Sequence, residues 1–145
     1  MSSEKQIGTL SKEDEEFLRA FEHCSLSGEC WTHAAHVRMA WLQMERSGSF
    51  DEALQRIRHG IKTFNASRNN IGYHETVTVA FAKVIYHRRL SGEKSATWNE
   101  FQERHPDLLS KESPILYAYY SPELLGSDQA RESFVEPDRL ALPVV

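Results

Sequence analysis

Apolar residues in this sequence return every three or four positions and almost nowhere every second one, so the pattern selects helices over strands along nearly the whole chain. The segment from Thr32 to Arg46 is the clearest instance. Thr32 suits a helix cap, and His33, His36, Val37, Ala40, Trp41 and Met44 then follow the i, i+3, i+4, i+7 rule, with Gly48 marking the exit. Both histidines are thus expected on an apolar stripe.

The same reasoning predicts three further main helices. Ser11, with Asp14 three residues on and other acids nearby, opens a helix to about Cys24 whose apolar face is Phe17, Leu18 and Phe21. Asp51 opens another to about Asn65, facing inward with Leu54, Ile57, Ile61 and Phe64. A fourth, from about Tyr73 to Leu90, puts His74, Val77, Thr78, Phe81, Val84 and Ile85 on one face. Its β-branched run from Thr76 to Val79 would suit a strand on propensity alone, but the helical period around it decides for helix. Shorter helices are expected over 97–104, from Pro114 to Tyr120, and from a Ser127 cap through Phe134. The fold class is therefore all-α, a compact helical bundle of four main helices plus short C-terminal ones.

With 145 residues, the expectation is a single helical domain over 1–145, its first ten residues flexible. A net charge of -4 and the lack of a Lys/Arg stripe argue against nucleic acid as a partner. No apolar run approaches the roughly 20 residues of a membrane span, and the polar start has no signal-like core, so a cytoplasmic protein with no membrane partner is expected. Cys24 and Cys30 are too few for a disulfide framework and are expected to be reduced. A homodimer is the base-rate expectation for oligomeric state.

The chemistry lies in the histidines. His33 and His36 stand one helical turn apart, where two imidazoles can meet at a common point, and His74 offers a third arm. Three protein ligands leave a metal with an open position for water or substrate, and each histidine buried on a stripe would otherwise need its own hydrogen-bond partners. One divalent ion is the expected cofactor, with Zn, Fe, Mn, Ni and Cu all compatible with imidazole. Glu75, about 100° round the helix from His74, is the candidate acid/base group, and Tyr73 and Arg131 are candidates for binding substrate. A competing set of Cys24, Cys30, His33 and His36 lacks the long segment between ligand pairs found in zinc fingers.

Two motifs carry a resemblance. Trp31, Thr32, His33 and His36 spell W-T-H-x-x-H, with Ala40 and Trp41 following, and Gly72 to Thr76 spell G-Y-H-E-T, running on to Thr78. Together with Tyr119 to Ser121, Ser127 to Arg131 and Phe134 to Asp138, they resemble a family of small, largely uncharacterised bacterial proteins. The resemblance covers most of the chain after the first helix and implies no particular reaction.

The leading expectation is a metal-dependent enzyme acting on a small molecule. Its alternatives are a non-catalytic helical module that binds a ligand or partner, and a structural metal that fastens two helices. There is no G-x-S-x-G elbow, P-loop or G-x-G-x-x-G fingerprint to suggest another enzyme class.

Overall fold

A computed structural model describes residues 10–110 and 115–145. The expectations for the first residues, Leu10 apart, and for Pro114 as a helix start lie outside the described residues. Those described form α-helices and short 3-10 helices with no strand, as the period requires. Packing divides the chain, read above as a single helical domain, into two compact units, Met1–Ile71 and Gly72–Val145. Among the described residues no helix is long and apolar enough to cross a membrane.

The first unit holds α1 (Lys12–Glu22), a 3-10 helix (Gly28–Cys30), α2 (His33–Glu45) and α3 (Phe50–Ser67), and each α-helix packs against the other two. On α1, Leu18 and Phe21 are buried, while Phe17 lies half-buried beneath the Arg38 guanidinium, 4.3 Å from its ring centre. On α3 the buried face is Phe50, Ala53, Ile57, Gly60 and Phe64; Leu54 and Ile61, expected inside, are half-buried. Phe21 packs closely against Gly60 on this face, where a Cβ would come within 2.6 Å of the ring. Helix α2 is buried on nearly every side, from Ala35 to Met44, so a single stripe describes it too narrowly. Its fully buried Gln43 is satisfied: its amide donates to Glu22 at 3.2 Å, its oxygen accepts from Arg46, and Arg46 in turn pairs with Glu22.

The second unit holds α4 (Glu75–Leu90), α5 (Trp98–Arg104), 3-10 helices Pro106–Leu109 and Ile115–Ala118, α6 (Pro122–Leu125) and α7 (Asp128–Glu132). Helix α7 and the second 3-10 helix pack on α4, and α5 packs on the first 3-10 helix. The α-helix expected up to Tyr120 is one 3-10 turn, and α6 is a further short helix beginning at Pro122. On α4 the buried residues are Thr76, Val79, Ala80, Ala82, Val84 and Ile85, a face rotated from the expected one. Val77, Thr78 and Phe81 are half-buried.

Candidate functional site

All seven α-helices among the described residues begin in the same way. The side chain of the residue before the first turn accepts a hydrogen bond from the amide three residues on. Six of these caps are the hydroxyls of Ser11, Thr32, Ser49, Thr97, Ser121 and Ser127. The seventh is His74.

Helix α4 therefore starts at Glu75, and His74 is its cap rather than a member of its face. Nδ1 of His74 accepts from the Val77 amide at 3.1 Å, and Nε2 lies 2.7 Å from the Leu125 carbonyl oxygen. An amide can only donate and a carbonyl can only accept, so the ring carries its proton on Nε2 and both nitrogens are used. To bind a metal, His74 would have to give up the helix cap or the tie to Leu125.

The rest of the G-Y-H-E-T motif is bound into the same unit. Tyr73 donates its phenolic proton to Glu75 at 2.6 Å, which ties the candidate acid/base group to the candidate substrate-binding tyrosine. The fully buried Thr76 donates to the Ser133 carbonyl at 2.9 Å and accepts from the Val135 amide at 3.1 Å. Thr78 returns a hydrogen bond to the His74 carbonyl. Tyr120, also fully buried, donates to the Val135 carbonyl, and its phenol is pushed up to about 12 by burial and, after that, by Glu136 and Asp138. Ser121 holds Asp138 through its amide and hydroxyl, and Arg139 donates to the Tyr117 carbonyl. Arg131 is exposed on α7.

No family model, curated protein or solved structure matches the chain.

In the first unit, W-T-H-x-x-H builds the start of α2. Thr32 accepts from Ala35 through its hydroxyl and from the His36 amide through its carbonyl. The same carbonyl lies 2.7 Å from Nδ1 of His36, so Nδ1 carries the ring proton and Nε2 keeps its lone pair. Burial lowers the pKa of His36 from the ordinary 6.5; the Thr32 bond opposes the shift and neighbouring His33 adds to it. Trp31 stacks on the His36 ring, centroids 3.8 Å apart. Composition gave no hint of this contact, but capping geometry does: Trp31 precedes the cap and His36 is the fourth helical residue, positions that meet in a hydrophobic staple.

His33 and His36 thus belong to the first unit, and His74 to the second. Among the described residues, no three His, Cys, Asp or Glu side chains are grouped so as to hold a metal ion. Cys24 sits in a left-handed turn after α1, its thiol 3.8 Å from the Thr63 carbonyl, and Cys30 is exposed at the end of its 3-10 helix. A cluster that the sequence reading missed lies in the second unit. There Arg88 grips Asp107 with two hydrogen bonds, 3.1 and 2.6 Å, and reaches Nδ1 of His105 at 3.2 Å. Its members are spread over 88–107 and share no short motif.

Proposed function

We propose that the chain is a metal-binding protein, and through that metal an enzyme acting on a small molecule, with His33 and His36 as its ligand pair. The observation that carries the reading is the His36 ring. Its Nδ1–H is spent on a backbone carbonyl, the partner that metal-ligating histidines commonly use to fix their tautomer, and its Nε2 lone pair is left for a ligand bond. His33 stands one turn back on the same helix, at the spacing that brings two imidazoles to one ion. Water and substrate oxygen would complete the coordination, and a divalent ion held in this way can polarise that oxygen or make bound water more acidic. His74 enters this reading as a helix cap and not as a ligand.

The test is metal content by elemental analysis of untagged protein, as purified and after reconstitution with Zn²⁺, compared across His33→Ala, His36→Ala and His74→Asn. Asparagine is a good helix cap, so the last variant keeps α4 capped while removing the imidazole. The expected result is close to one metal per wild-type chain, lost in the first two variants and retained in the third. Loss in folded His74→Asn would restore the three-histidine site in place of the pair. Absence of metal even after reconstitution would overturn the reading in favour of a helical module that binds a ligand or partner without catalysis.

A further inference from the structure

A ligand bond needs its lone pair to point one way, and an imidazole has two torsions through which to lose that direction. In His36 each is restrained by a different group. The Thr32 carbonyl holds Nδ1 at 2.7 Å, which fixes one edge of the ring but still lets the ring tilt about that bond. The tilt is taken up by the Trp31 indole, stacked 3.8 Å from the imidazole at an interplanar angle of 30°.

The indole is itself held in place. Its other neighbour is Phe21, stacked at 4.6 Å and 25°, and Phe64 touches both rings, 5.6 Å from Phe21 and 5.2 Å from Trp31. Phe21 and Phe64 are buried, and Gly60 lets α3 approach the Phe21 ring closely. An aromatic column thus runs from the interior of the first unit out to a half-buried histidine. A hydrophobic staple by itself needs only an apolar contact at this position, which leucine would supply. What the flat indole adds is control of the ring plane.

We propose that Trp31 is a positioning residue, which sets the plane of the His36 imidazole and so the direction of its Nε2 lone pair. The proposal rests on the ligand role given to His36 above and adds the group that makes that role effective. It predicts that planarity at position 31 matters to the metal, whereas apolarity is enough for the fold.

The experiment is a Cu²⁺ titration of untagged wild type, Trp31→Phe, Trp31→Leu and His36→Ala, with far-UV circular dichroism to confirm folding. In wild type, Cu²⁺ bound at His36 is expected to quench the emission of Trp31 through the stacked imidazole, a reading that needs no substitution to survive. Trp31→Phe is expected to keep an affinity near wild type and the same copper electron-paramagnetic-resonance spectrum, and to lose the quenched component, since Trp41 and Trp98 are then the only indoles left. Trp31→Leu is expected to bind about 10–100-fold more weakly, the range typical of losing an outer-shell partner, with an altered spectrum. A folded Trp31→Leu with wild-type affinity and spectrum would overturn the proposal and leave Trp31 as a staple alone. So would Cu²⁺ binding that leaves wild-type emission unquenched. Cu²⁺ binding that survives in His36→Ala, or none in wild type, would instead overturn the metal reading beneath it.

Discussion

At the scale of single residues, Gly60 sits in the middle of an 18-residue helix, where alanine would ordinarily be preferred by about 1 kcal/mol. Here the sign reverses. A Cβ at 60 would come within 2.6 and 2.9 Å of Phe21 ring atoms, and that ring cannot swing away because it is fully buried and stacked against Trp31 and Phe64. Overpacking of this kind costs about 1–3 kcal/mol, which equals the gain in helix propensity at the low end and exceeds it over the rest of the range. Gly60→Ala is therefore expected to lower stability by about 1 kcal/mol, the middle of the roughly 0–2 kcal/mol left after the propensity gain is subtracted, read as a shift in the urea midpoint at constant slope. An unchanged or raised midpoint would mean that Phe21 is free to move, and that the aromatic column is looser than its geometry indicates.

At the scale of elements, what the sequence made legible was period and hydroxyl caps. Ser11 and Thr32 cap α1 and α2 as expected, and Ser127 caps α7, because a short oxygen beside a helical period is a local signal. The single-turn helices were harder to read, since four residues carry no period, and Pro106–Leu109 and Pro122–Leu125 were not expected. His74 was misplaced for a physical reason: an imidazole nitrogen can do the work of a serine oxygen, but its size and apolarity make it look like part of the helix face. Thr76, which the expected face leaves out, is buried because two backbone partners satisfy its hydroxyl. Of the candidate site, the placement of His33 and His36 one turn apart on α2 was legible, because that spacing is local. The role of His74 depends on Leu125, 51 residues away, which no spacing reveals. That role has a measurable cost. His74→Ala strips the Val77 amide and the Leu125 carbonyl of their partners and is expected to destabilise the protein by about 1–3 kcal/mol in urea unfolding. His74→Asn, which restores the cap alone, is expected to recover about half of the loss. Equal stability of the alanine variant and wild type would show that α4 starts without help from the ring.

At the scale of the whole molecule, the displaced pKa values set how stability follows pH, and apart from that of His36, which burial lowers, all belong to the second unit. The hydrogen bond from Arg88 holds the Asp107 carboxyl below its ordinary 3.8, and burial, with Arg88 beside it, holds His105 below 6.5. In both cases folding favours the deprotonated group, so on acidification the unfolded chain binds more protons and stability falls. The His105 contribution is complete above 6.5 and is lost as pH drops through its lower folded value; that of Asp107 disappears only below 3.8. Tyr120 behaves in the opposite way, since folding favours its protonated phenol. Its contribution is complete below 10.0 and lost as pH rises towards about 12. Urea unfolding across pH is thus expected to show a plateau between 6.5 and 10.0, with a two-step acid limb and a single alkaline limb. His105→Gln keeps an acceptor for Arg88 but does not titrate, so it should shrink the upper step of the acid limb to the share of His36, which burial also holds below 6.5, and leave the lower step unchanged. Tyr120→Phe should flatten the alkaline limb while lowering the plateau by about 1–2 kcal/mol, because the half-buried Val135 carbonyl loses its donor. An alkaline limb that persists unchanged in Tyr120→Phe would assign the loss of stability to other groups, and with it remove the buried phenol as the alkaline limit of the fold.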